Sequence, residues 1–255
     1  MKLLSKLFLA ALLFVACETE QKLESAVENP TTSQTNTPET APVVKKDDYL
    51  YGIDISSYQG DEAEGLDKNK DSLSFVICRA TDGVTYQDPD FSTNWSTLEK
   101  KGFTRGAYHF FESDDDASSQ VNNYVNTVGD LTNTDLPPII DFEGAGIHDG
   151  ATVDEIVQTL KEVIEAMESS YSRKPIIYTN PSIGNTYLTD SYFSKYPLWI
   201  ADYSGEAEPI MPGAWAGSDW VLWQQTDSYV LNGDKSDFDL FNGGQAAFQA
   251  FLKGN

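Results

Sequence analysis

Residues 136–180 read LPPIIDFEGAGIHDGATVDEIVQTLKEVIEAMESSYSRKPIIYTN. The segment opens with PPIIDFE, a short apolar run stiffened by two prolines in front and closed by two carboxylates. Thr152 and Glu155, three positions apart, then make a capping-box pair, and Ile156, Val157, Leu160, Val163, Ile164 and Met167 fall on one stripe at helical spacing. A second apolar run, KPIIYTN, follows. Strand, helix and strand in this order predict parallel pairing, with the helix as the crossover.

The same grammar extends in both directions. YGIDIS, SFVICRA and RGAYHFF precede this unit, and PLWIADYS and WVLWQQT follow it, all reading as strands; DPDFSTNWSTLEKKG and SQVNNYVNTVG have helical composition. Seven or eight such strands in about 205 residues, many apolar on both faces, favour a closed barrel over an open doubly wound sheet. No Gly-rich phosphate loop follows any strand, which removes the usual nucleotide-binding rationale for an open sheet. The expectation is an α/β fold with one barrel domain over residues 48–255.

In barrels of parallel strands, chemistry collects at the strands' C-terminal ends. There stand Asp54 after YGI, Arg79 after FVIC, Tyr108 and His109 in GAYH, Asp141 and Glu143 in IIDFE, Tyr178 in PIIY, Asp202 in WIAD and Gln224 in VLWQ. Side chains alternate along a strand, so Asp141 and Glu143 share a side, their Cα atoms about 6.5–7 Å apart, while Ile140 and Phe142 face the other way. Two carboxyls side by side in a partly dry site push one towards its protonated form. One acid then donates a proton while the other stays charged, as glycoside hydrolysis requires. Solvated loop acids would give the same D-x-E spelling. His109 reads as a structural group hydrogen-bonded at the barrel mouth, with proton transfer the alternative, and His148 in GAGIHDG as a loop residue.

The first residues, MKLLSKLFLAALLFVAC, place lysines ahead of an apolar run too short for a comfortable membrane span, ending at Ala16 and Cys17. This resembles a bacterial lipoprotein signal over residues 1–16 with Cys17 acylated; Phe14 is unusual there, and a plain cleaved signal is the alternative. Residues 17–47 are polar and aperiodic, the composition of a disordered tether. The expectation is an exported lipoprotein on the Gram-negative outer membrane, touching membrane only through the lipid on Cys17. The other cysteine, Cys78 in FVIC, then has no disulfide partner and reads as a buried small hydrophobe. The chain carries a formal charge of −23, and residues from 48 onward hold 34 acidic against 12 basic groups. Such a surface disfavours nucleic acid and anionic lipid, and gives no electrostatic help towards an anionic cell wall.

Taken in order, YGIDISSYQG, FVICRATDG, GAYHFF, PPIIDFEG, KPIIYTN, PLWIADYS and WVLWQQT…SDFDLFNG resemble the lysozymes of glycoside hydrolase family 25 over essentially all of Tyr51 to Gly243. The resemblance implies an irregular, TIM-like β/α barrel. It implies cleavage of the β-1,4 bond between N-acetylmuramic acid and N-acetylglucosamine in peptidoglycan; the separate expectation is a monomer with no metal or cofactor. By position, Glu143 resembles the general acid and Asp141 the acid that supports the substrate's own N-acetyl group in a configuration-retaining attack. Asp54 and Asp237 match two further acids of the cleft. Tyr108, Tyr178, Tyr203 and Trp223 fall in blocks that shape sugar subsites, with core packing the alternative for each, and Arg79, His109, Asp202 and Gln224 complete the expected substrate-binding set. Three residues depart from the pattern: Asp82 stands where the family usually has Glu, Gln225 replaces a common aromatic, and Asp239 replaces a frequent Asn. Two other readings compete with hydrolysis by these acids alone. One is a glycan-binding lipoprotein that keeps the cleft without cutting; the other is a metal-dependent hydrolase using Asp54, Asp141, Glu143 and Asp237 as oxygen ligands for Mg²⁺ or Ca²⁺.

Overall fold

A computed structural model describes residues 48–60 and 62–254; the expectations for residues 1–47, including the signal, Cys17 and the tether, lie outside them. Nine strands form: β1 (Leu50–Ile55), β2 (Phe75–Asp82), β3 (Tyr86–Gln87), β4 (Thr104–Phe110), β5 (Ile139–Asp141), β6 (Ile176–Thr179), β7 (Leu198–Ala201), β8 (Leu222–Leu231) and β9 (Asp234–Phe241). The helices are α1 (Phe91–Lys101), α2 (Ala117–Val128), α3 (Val153–Tyr171), α4 (Pro181–Tyr187) and α5 (Gln245–Gly254). Eight strands run in the order β1-β9-β8-β7-β6-β5-β4-β2 and close through β1–β2 pairing, while β3 is a short flap on β2. This is the expected barrel.

Pairing is parallel from β1 through β2, β4, β5, β6 and β7 to β8, but β9 is antiparallel to both β8 and β1. The all-parallel expectation is corrected at this one strand. The cause is local: Asn232 and Gly233 both adopt positive φ, 53° and 106°, at the β8–β9 turn. Asn-Gly is the dipeptide that tight hairpins favour, and a two-residue turn returns the chain antiparallel.

Alternation along the strands sorts side chains into two compartments. Ile140, Ile177, Leu198, Ile200, Trp223, Phe238 and Leu240 face outward and join α3 and its neighbours in the larger core. Ile77, Ile139, Ile176, Trp199, Leu222 and Phe241 face inward and fill the lower barrel, which Phe248 and Leu252 of α5 plug from below. Space there is tight: a Cβ on Gly52 would lie 2.3 Å from the Phe75 ring. With the lower half filled by apolar groups, the polar residues at the upper strand ends have only the mouth to open into. Helix α3 begins as its sequence predicts, since Thr152 Oγ1 accepts from the Glu155 amide and Glu155 Oε2 accepts from the Thr152 amide at 2.8 Å. Among the described residues, no helix is long and apolar enough to cross a membrane.

Candidate active site

At the barrel mouth a cleft of about 330 Å³ is lined by Asp54, Arg79, Asp82, Tyr108, Asp141, Glu143 and Asp237, with Tyr58 and Gln59 at one side. All four acids nominated for catalysis therefore meet in one cavity. Asp141 ends β5, in register with Phe110 of β4 and Tyr178 of β6. Phe142 turns outward into the core, edge-on to Phe111 and Tyr187. Glu143 is still extended, at φ −137° and ψ 173°, so the alternation outlasts the hydrogen-bonded strand and returns its side chain to the cleft. The chain then turns tightly at Gly146, where a Cβ would lie 2.0 Å from the Phe111 carbonyl oxygen. Only a residue without a side chain lets this loop close behind Glu143.

Both carboxyls of the pair are pushed up, Glu143 by burial and Asp141 by burial reinforced by Glu143 and Asp54 and partly offset by Arg79. Asp141 is the deeper of the two, and its Oδ1 is buried with no hydrogen-bond partner among the described residues. Burial thus favours the protonated form of both, and the charge of Glu143 favours it further at Asp141.

Across the cleft, Gln224 Nε2 donates to Asp54 Oδ2 at 2.6 Å. The amide is held in that sense because its Oε1 accepts from the hydroxyls of Tyr178, at 2.8 Å, and Tyr203. These two tyrosines thus act on Asp54 through Gln224, and the Tyr203 ring remains half exposed at the rim. Burial and the neighbouring Asp54 push Asp237 up to about 8. Arg79 supplies the positive charge: its Nε donates to buried Asp88 at 3.0 Å, its Nη2 to Ser57 Oγ at 3.1 Å, and its guanidinium lies 5.1 Å from the ring centres of both Tyr58 and Tyr86. Two neighbouring rings and a salt bridge hold it beside the acids.

Three nominated residues lie elsewhere. Trp223 faces outward, is wholly buried, donates its indole N–H to the Asp202 carbonyl at 2.9 Å and meets Trp220 edge-on. His109 also faces outward, between Thr81 and Gln120 at 2.8 and 3.1 Å, and burial pulls it down to about 4, so it stays neutral. Asp202 is spent on its own loop, accepting from the amides of Ser204 and Ile210. Of the departures from the family pattern, Asp82 lines the cleft while Asp239 is buried beneath it. His148 is tied to Glu112 at 2.5 Å, which raises it. Tyr58 and Gln59 are not among the sequence-based candidates, although both lie in the loop leaving β1, on the side where barrel chemistry gathers.

The model of glycosyl hydrolases family 25 matches residues 53–234. The chain is 33% identical over 211 residues to the uncharacterised protein YegX of Escherichia coli K12, covering 80% of this chain and 74% of that one. It is 30% identical to an N,O-diacetylmuramidase of Arthroderma benhamiae, over 80% and 87% of the two chains. Among solved structures, a family 25 glycosyl hydrolase from Bacillus anthracis superposes with a TM-score of 0.73 at 25% identity, covering 85% of this chain and 99% of that one.

Proposed function

Since the chain belongs to glycosyl hydrolase family 25, whose fold it has, and is a glycoside hydrolase of the peptidoglycan-directed kind, we propose that it is a lysozyme-type muramidase. It cuts the β-1,4 bond between N-acetylmuramic acid and N-acetylglucosamine. The likeness to a diacetylmuramidase supports this bond. The observation that carries the reading is the convergence of Asp141 and Glu143, on one face of β5 and its extension, with Asp54 and Asp237 in a single cleft.

In this reading Glu143 gives its proton to the glycosidic oxygen as that bond breaks. The carbonyl oxygen of the substrate's own N-acetyl group attacks the anomeric carbon from the opposite face, and Asp141 accepts the N–H of that group. Asp141 lines the cleft beside Glu143 and is suited to receive it. Water then opens the cyclic intermediate, Glu143 recovering the proton, and the configuration is retained. Asp54 and Asp237 stabilise the positive charge that grows on the sugar ring. Tyr58 and Tyr203, both exposed at the mouth, offer ring faces for pyranose stacking.

The test is Glu143→Gln assayed on defined peptidoglycan, with products identified by mass spectrometry. Wild type releases fragments with reducing N-acetylmuramic acid ends; the variant loses roughly 10²–10⁴-fold in kcat with no loss of melting temperature. Equal digestion by both proteins sinks the assignment of Glu143, and tight glycan binding without any cut product sinks the muramidase reading in favour of a binding protein. Undiminished turnover in excess chelator removes the metal-dependent route.

We further propose that the enzyme works as a monomer held to the outer membrane by a lipid on Cys17. Labelling of cells with a fatty-acid probe, lost in Cys17→Ala, is the expected outcome; a labelled Cys17→Ala protein would refute the anchor.

A further inference from the structure

Beneath the cleft lies an acid that the mechanism above does not use. Asp239 is wholly buried and lines no part of the cleft. It sits on β9 in register with Gly52 of β1 and Gln224 of β8, one inward-facing position below Asp54 and Asp237. Its Oδ1 accepts the indole N–H of Trp199 at 2.9 Å, whereas its Oδ2 meets no ordinary donor among the described residues. The side chain it meets there is the Asp54 carboxyl, which meets Asp237 as well. Two ionised carboxylates are both acceptors, so a bond between them requires a proton on one. Asp54 is held at its other side by Gln224, whose amide N–H has only Asp54 to serve. The groups facing Asp239 are Asp54 from β1, Asp237 from its own strand, Trp199 from β7 and Gln224 from β8, and none of them is a cation. Burial raises both Asp54 and Asp239; the charge of Asp239 raises Asp54 further, that of Asp237 raises Asp239, and the bond from Asp54 partly offsets the rise at Asp239.

We propose that Asp239 is a positioning residue that shares one proton with Asp54, so that the charge and orientation of Asp54 in the cleft are set from behind by a group the substrate never touches. The proposal rests on the reading of Asp54 as a working acid of the glycosidase cleft. With the proton between them, Asp54 is clamped by Gln224 on one oxygen and by Asp239 behind it, with Asp237 beside it at the cleft, and turns a fixed edge to the sugar. Losing that proton would place two charges in contact in a dry site, at a cost that burial makes large.

The decisive substitution is Asp239→Asn, because an amide still accepts the Trp199 N–H through its oxygen and donates to Asp54 through its nitrogen, but cannot ionise. Removing the competing carboxyl lets Asp54 ionise at lower pH. The limb of the kcat/KM pH profile governed by Asp54 is expected to move down by about one unit or more, while Asp239→Leu, which removes both bonds, lowers kcat/KM at every pH. A second readout needs no turnover: the Trp199 indole N–H resonance, followed by nitrogen-15 NMR between pH 4 and 9, titrates with the pair in wild type and is flat in Asp239→Asn. In Asp54→Asn its midpoint falls, which gives the same test should the Asp239 variants not fold. A pH-independent Trp199 resonance in wild type, or superimposable pH profiles for wild type and Asp239→Asn, overturns the proposal. Absence of any hydrolysis by wild type would instead overturn the muramidase reading and leave the NMR result to stand alone.

Discussion

Trp223 and Gln224 are neighbours on β8, and both were nominated to touch sugar, as were Tyr108 and His109 on β4. Alternation forbids that for either pair, since adjacent residues of a strand face opposite sides. Gln224 and Tyr108 point into the barrel, and Trp223 and His109 point into the helical layer. The same rule that correctly joined Asp141 to Glu143 was sufficient to decide these pairs from sequence. What sequence did not carry is the inward acid Asp239, whose spelling in SDFD is indistinguishable from that of Asp237 until the depth of each in the barrel is known. The placement of Trp223 has a direct consequence. Trp223→Ala removes a fully buried ring from the core, at about 3–5 kcal/mol, lowering the melting temperature by about 6–20 °C. Calorimetry checks the first expectation; the second is that, at a temperature where the variant is folded, its KM for glycan is unchanged. A rise in KM without loss of stability would return Trp223 to a sugar subsite.

At the scale of elements, strength of local signal decided what was legible. Helix α3 announced both its cap and its stripe, and both are realised. β8–β9 was the opposite case. Asn232-Gly233 between YVL and DKSDF is a hairpin signal in plain view, but the pull of an alternating strand–helix pattern favours a parallel reading. The hairpin matters for the site, because an antiparallel β9 carries Asp237 and Asp239 inward between β8 and β1 and so brings one beside Asp54 and the other beneath it. The capping box offers a clean test of how far α3 depends on its own ends. Thr152→Ala deletes the Oγ1 acceptor of the Glu155 amide and is expected to cost about 1 kcal/mol, or about 2–4 °C in melting temperature, with kcat unaffected. Thermal melts and turnover on the same preparation measure both quantities. A loss of turnover without a thermal shift would mean that the loop between Glu143 and α3, not the helix, is what Thr152 holds.

For the whole molecule, a cleft built of acids stores repulsion that must appear as a pH dependence of stability. Asp54, Asp141, Glu143 and Asp239 are all raised by burial, and Asp237 reaches about 8. In the unfolded chain these groups ionise near 4. From about pH 4 to 8 the folded protein therefore holds more protons than the unfolded one, and stability falls as pH rises through the folded values. His109 works the other way. Held neutral down to about 4, it costs stability as pH drops from 6.5 towards that value, but it is one group against several. The 34 acidic and 12 basic groups from residue 48 onward add general repulsion of the same sign as the cleft. The melting temperature is therefore expected to be higher at pH 5.5 than at pH 8, and Asp237→Asn to raise it more at pH 8 than at pH 5.5, the gap closing only towards about pH 4, where the unfolded aspartate also holds its proton. Calorimetry across this range on both proteins checks the sign, and at pH 8 added salt separates the two sources. Salt screens the exposed surface and lifts wild type and variant alike, whereas the gap between them persists because it arises in a site that salt reaches poorly. A wild type that is more stable at pH 8 than at pH 5.5 would mean that the cleft acids ionise freely, and with that the proton proposed between Asp54 and Asp239 and the raised state of Glu143 would be lost.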